Sequence, residues 1–397
     1  MLEYNYQVTP KQFKLLDYYL LIFGLKVFES SKAEHRLNVF FRAHFIFNNY
    51  HTFVYHTLNF LQSDTDLYSL SYIILYFCII LTHHQAWYRL HEMRKLMTII
   101  FDLAEPFELN KLHRASVIAF ATIFVNNVLM AVSITLWWIP TGSLLATRNL
   151  CCALRSPSVQ WWMHVIVFYK AYCYAIFESN WLISTAVIYV FAVFAISLIE
   201  RVFFHGKCVV LKQIMAAQLS SERVTQVYRK LKMAYASVKC LHNLFDKLFN
   251  MLPVCWLGFL FFMLSGNMVI QVSAKSAAQA NGTYTDAFDT SYRRSPLFLI
   301  SEHIALFVFM ATILVSIYVA SSIVESMNKT RSNFLFDIIV DCPSDHQKSD
   351  MIYLIDKNKL QLSGYNLFSV DKKLLLSFCA GLISFSVLFA NLSGANI

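Results

Sequence analysis

The chain has 397 residues, 57% of them hydrophobic and only 14% charged, with a formal net charge of +9 at pH 7. Its mean hydropathy is +0.49. Soluble domains carry about 25% charged residues, so this composition excludes most soluble enzymes, disordered chains and disulfide-stapled secreted domains and leaves a multi-span membrane protein.

The N-terminus, MLEYNYQVTPKQ, lacks a basic start followed by an apolar core, and no signal peptide is expected. The apolar stretch from Leu15 to Phe28 carries Asp17 and Lys26 and reads as an interfacial or re-entrant helix ahead of the first span. Seven spans follow, at 37–60, 68–87, 117–139, 176–199, 251–272, 297–324 and 374–392. The first is the weakest, because Arg42 and several His and Asn interrupt it.

Twenty-six of the 33 Lys and Arg fall on one side of these spans and six on the other, with Arg42 inside the first. The positive-inside rule then places the N-terminus in the cytosol and the C-terminus outside. Asn281, in an Asn-Gly-Thr sequon between spans 5 and 6, falls on the outer side as an expected glycosylation site. Apolar residues from Val224 to Phe245 recur at three- and four-residue steps between basic ones. They predict an amphipathic helix, or a continuation of spans 4 and 5 into the cytosol.

The expected class is therefore all-α, a seven-transmembrane helix protein with a cytosolic helical anchor bundle. The organisation is 1–36 as a cytosolic N-terminal segment, 37–200 as spans 1–4 and 201–250 as a cytosolic amphipathic loop. Residues 251–324 make spans 5–6, 325–373 a cytosolic anchor segment, and 374–397 span 7 with a short external tail. The expected location is the plasma membrane.

No nucleophile–base constellation and no Gly-rich phosphate loop occurs, so an enzyme is not expected, nor is a cofactor. The nine Cys are scattered without a CxxC, and His83, His84 and His91 have only Glu92 nearby, so no metal site is expected. The 33 basic residues form no dense tract, which argues against a nucleic-acid partner. Seven spans invite a G-protein-coupled receptor, but the orientation is reversed and the tripeptide that closes the third span of such receptors is missing.

Span 7 carries the clearest pattern. Ser377, Gly381, Ser384, Leu388 and Asn391 fall on one stripe, and Phe378, Leu382, Phe385, Phe389 and Leu392 on the other side. Small and polar residues in a row fit either a tight helix–helix contact or a water-lined pore wall in which Leu388 is the hydrophobic constriction.

Other polar groups sit inside apolar runs, where they are costly and usually paired or functional. They are Glu302 and His303 at the start of span 6, Asn126 and Asn127 in span 3, and Glu178 near Trp181 in span 4. Tyr68, Tyr72 and Tyr76 repeat at four-residue steps on span 2. Aromatic walls with a few polar groups suit a small organic ligand. Each also has a structural reading: an ion pair of Glu302 with Lys170 or His303, and packing for the tyrosines.

The stretch Leu362-Ser-Gly-Tyr-Asn-Leu-Phe-Ser-Val-Asp-Lys-Lys-Leu-Leu-Leu-Ser377 resembles the approach to the last span of insect gustatory receptors, and Leu241-His-Asn-Leu-Phe-Asp-Lys-Leu-Phe249 resembles the segment before their fifth. That family's last span has Thr-Tyr, five apolar residues and Gln-Phe. Here Ser384-Phe385 is followed by five residues and Asn391-Leu392, so the spacing is kept and all four signature residues are replaced by chemical neighbours. The resemblance covers the architecture of the whole chain and about thirty residues in detail. It implies a chemosensory, ligand-gated, non-selective cation channel of gustatory or related odorant type. Four identical or related subunits would each give span 7 to a central pore, held by the cytosolic ends of spans 4 to 7. It further implies a pocket for a tastant or odorant in the outer half between spans 2 and 6, and maps the signature Thr and Gln to Ser384 and Asn391. A carrier or non-conducting membrane protein sharing the fold is the alternative.

Overall fold

The computed structural model describes residues 10–29, 31–62, 67–104, 106–150, 180–216, 238–262, 296–341, 360–364 and 367–392, with isolated positions between them. The described chain is helical except for one two-stranded hairpin. Its helices are α1 (Lys14–Leu21), α2 (Lys32–Gln62), α3 (Leu67–Tyr88), α4 (Leu90–Leu103), α5 (Pro106–Leu150), α6 (Asn180–Ala216), α7 (Val238–Phe262), α8 (Pro296–Asp341) and α9 (Lys372–Leu392). A helix stands at each of the seven expected spans. Segments of α5, α6, α7 and α8 are long and apolar enough by themselves to cross a bilayer.

Burial separates the helices by role. In α6, 83% of the most apolar window is buried against 28% in α5. A helix apolar all round belongs in the middle of a bundle, and α6 is apolar on every side from Trp181 to Ile199. Around it, α8 packs on α6 and α5, and α2 on α3. The exposed faces of α2 (Phe40, Phe47, Val54) and α5 (Ile118, Phe124, Val125) are apolar surface of the kind lipid covers.

The stretch Leu15–Phe28 is not laid along the outside of the bundle. Phe13, Leu16, Leu20 and Phe23 are buried, and the Phe23 ring meets Phe45 of α2 and Trp181 of α6. The chain reverses at Gly24, whose φ is +67°, a conformation glycine adopts without cost. The two charges inside this stretch are absorbed locally. Asp17 accepts from the amides of Val27 and Phe28, and Lys26 pairs with Glu34 at 2.7 Å while lying over the Tyr18 ring. Arg42 donates from Nε to the Gly24 carbonyl and lies over Trp87. What makes the first span look weak is thus the clamp on this hairpin.

Helix α4 is an element the span pattern does not announce. Met93, Leu96, Met97 and Ile100 form its buried face, and α5 restarts at Pro106, a residue suited to the first helical position. Helix α6 passes residue 200 without a break, and α7 begins at Val238 with a turn at Asn250 and Met251 before Pro253. The continuation of spans 4 and 5 is therefore what the structure shows in its described part. Where α6, α7 and α8 converge beyond the end of α3, Glu200 is hydrogen-bonded to His242 at 3.0 Å and ion-paired with Arg331 at 3.2 Å, with all three side chains nearly or fully buried.

Strands β1 (Ser363–Gly364) and β2 (Phe368–Ser369) pair antiparallel ahead of α9. A Cβ on Gly364 would meet the Phe368 ring, which would have to move aside. The hairpin is tied to its neighbours: Ser321 of α8 donates to the Val370 carbonyl, Asn328 to that of Leu360, and Ser363 to Asp246 of α7.

Candidate functional site

Asp371 starts α9 by accepting the Leu374 amide at 2.8 Å, the usual N-cap bond. Lys372, the next residue, bonds Glu325 of α8 at 2.6 Å, and that hydrogen bond raises the lysine above its ordinary pKa. Both side chains are exposed, so the pair orients the helix base and adds little stability.

From this base α9 shows two sides. Leu374, Leu375 and Phe378 pack against the core, and the Phe385 ring stands 5.5 Å from Phe261 of α7. Ser377, Gly381, Ser384 and Leu388 are exposed, as are Leu376, Ile383 and Val387 beside them. The Phe side thus faces the chain's own body and the polar stripe faces away. A Cβ on Gly381 would meet no atom within 4 Å among the described residues, so the small residue answers no packing demand there. The backbone of Asn391 continues α9, and its side chain is outside the described set.

The described ones among the nominated ligand residues are held in separate contacts. Tyr76 of α3 is buried with its ring stacked on His56 of α2 at 5.8 Å. Asn126 of α5 donates to Thr312 of α8. Asn127 donates to the Tyr19 hydroxyl, which shares a hydrogen bond with Ser184 of α6. Trp181 donates from Nε1 to Thr82 at 2.9 Å, and its ring lies against His83 and Phe45. Thr82 is six residues along α3 from Tyr76, about 9 Å at 1.5 Å per residue, so Trp181 sits deeper than the tyrosine face. The side chains of Tyr68, Tyr72, Glu302 and His303 are outside the described set, although their backbones continue α3 and α8. Glu178 and the sequon residue Asn281 lie outside the described residues.

Tyr19 and Phe23 carry no site signal in the sequence, and His83 was weighed there only as a metal ligand. His83 donates from Nε2 to the Phe23 carbonyl, and its neighbour His84 bonds within α3. Among the described residues no three His, Cys, Asp or Glu gather as metal ligands. The partners of Tyr19 are 108 and 165 residues away along the chain.

No protein-family model matches the chain, and no curated protein matches it. Solved structures do. The insect olfactory receptor OR5 from Machilis hrabei superposes with a TM-score of 0.65 at 10% sequence identity, covering 94% of this chain and 96% of that one. The same receptor in complex with eugenol gives a TM-score of 0.58 at 11% identity, covering 96% and 98%. The fold of this chain is that of an insect olfactory receptor over nearly its whole length.

Proposed function

We propose that the chain is a chemosensory receptor of the insect gustatory and odorant type, acting as a ligand-gated, non-selective cation channel in the plasma membrane. The observation that carries this reading is the fold shared end to end with an olfactory receptor, one of whose structures holds the small phenol eugenol. The arrangement of α9 supports its assignment as the pore wall: the Phe side packs inward and the stripe Ser377, Gly381, Ser384 and Leu388 is left uncovered by its own subunit. Four such helices around an axis, from identical or related subunits, would enclose a wet path narrowed by Leu388. Asn391 is proposed to face the same path.

The N-terminus is proposed to be cytosolic, on the basic-residue bias. Asn281 is proposed as an external glycan site. The ligand is a small organic molecule held between α3, α5, α6 and α8, with Tyr68, Tyr72, Tyr76, Asn126, Asn127, Glu178, Trp181, Glu302 and His303 as candidate contacts. The gustatory assignment rests on the Ser384-Phe385 to Asn391-Leu392 spacing. The solved neighbours favour a second, odorant-type reading. Whole-cell recording with calcium imaging, against sugars, bitter compounds and volatiles, tests both. Tastant-evoked cation current supports the first and volatile-evoked current the second. A surface-expressed chain that passes no current with any panel or related subunit overturns the channel reading.

A further inference from the structure

The tip of the N-terminal hairpin is the centre of a buried polar layer in which each donor atom named below has a partner. Ser184 donates to the Asn180 carbonyl, so the shared proton between Tyr19 and Ser184 comes from the tyrosine. The Tyr19 oxygen then accepts from Asn127, which fixes that amide with its nitrogen toward the tyrosine. Thr82 donates to the Cys78 carbonyl and accepts from Trp181. His83 faces the Phe23 carbonyl, which can only accept, so Nε2 carries the proton. Asn49 of α2 donates to the Phe45 carbonyl, and the Phe45 ring lies on His83 at 4.1 Å.

Among its side chains, Asn49 Oδ1, His83 Nδ1 and Asn127 Oδ1 are each buried and without a hydrogen-bond partner among the described residues. All three are acceptors. They hang on one knot of side chains, since His83 is bonded to Phe23 and stacked on Phe45, Asn49 holds Phe45, and Asn127 holds Tyr19 beside Phe23. A buried acceptor without a donor is destabilising, and three around one knot are an unusual load on a core. Acceptors alone recognise a group that brings its own proton.

We propose that this layer binds a hydroxyl donor at the hairpin tip: the O–H of a small organic ligand or of a water molecule. The inference rests on the reading of the chain as a receptor for small organic molecules, and it names the chemistry that receptor would select. It also gives the hairpin a role, because Tyr19 and Phe23 hold two of the three acceptors in place.

The test uses the full chain purified in lipid nanodiscs and three matched pairs: eugenol and its methyl ether, phenol and anisole, 1-octanol and its methyl ether. Binding is followed by tryptophan fluorescence, for which Trp181 is a reporter inside the layer. At least one hydroxyl compound should bind about five- to tenfold more tightly than its ether, the worth of one neutral hydrogen bond. Asn127→Leu and Asn49→Leu should each erase that ratio while changing the ether's affinity less than twofold. Both should leave the thermal midpoint of the empty protein unchanged or raised, because an orphan acceptor is removed. Equal binding within every pair, with both variants lowering the midpoint, assigns the donor to water and overturns the ligand arm. Equal binding with both variants raising the midpoint means that the layer holds no guest, and the inference fails. Hydroxyl-selective binding by a chain that passes no current keeps this inference and overturns the channel reading instead.

Discussion

Single residues in this fold act where the chain has no alternative conformation or charge partner. Gly24 is one such position, because its positive φ and the backbone of Arg42 against it both exclude a side chain. Gly24→Ala should destabilise the protein by about 2 kcal/mol or more, seen as a lower thermal midpoint, and Gly381→Ala, with open space around it, should not. Glu200 is another. Removing one member of a buried ion pair leaves a charge uncompensated and costs about 3–5 kcal/mol, whereas replacing both members by apolar residues often costs little. Glu200→Gln should therefore lower surface expression and the midpoint more than the pair Glu200→Leu with Arg331→Met, measured side by side. Neither residue was legible as half of a pair, since 131 positions separate them and only the convergence of α6 and α8 joins them.

At the scale of elements, periodicity was enough for α9 and not for α4. The two sides of α9 were readable from the spacing of Ser384 and Phe385, and the structure turns Phe385 toward α7 as that spacing requires. If the stripe lines a pore, Leu388→Ala should raise unliganded current, because shrinking a hydrophobic constriction favours a wet state. Cysteine at Ser377, Ser384 or Leu388 should be blocked by water-soluble thiol reagents, and cysteine at Phe378 or Phe385 spared. Reactivity that follows the Phe side instead would make α9 a packing helix. Helix α4 carried an equally regular face in Met93, Leu96, Met97 and Ile100, hidden by the charges of Glu92, Arg94 and Lys95 between them. The hairpin of β1 and β2 rests on two residues a strand, too short for any alternation to register.

For the whole molecule, the distribution of Lys and Arg makes the orientation testable. An N-terminal epitope tag should stain only after permeabilisation, and a tag within residues 275–290 should stain intact cells. Surface staining of the N-terminal tag would reverse the topology. Composition and hydropathy by themselves determined that the chain is a helical membrane protein and where its four long apolar helices stand, because a bilayer selects on the average polarity of about 20 residues, a quantity local in sequence. Only the tertiary structure decided that α6 is the central helix, that Arg42 clamps a hairpin, and that Tyr19, Ser184 and Asn127 meet. Hydrogen bonds and ion pairs are short-ranged and directional, so which buried polar groups find each other is set by how the helices pack.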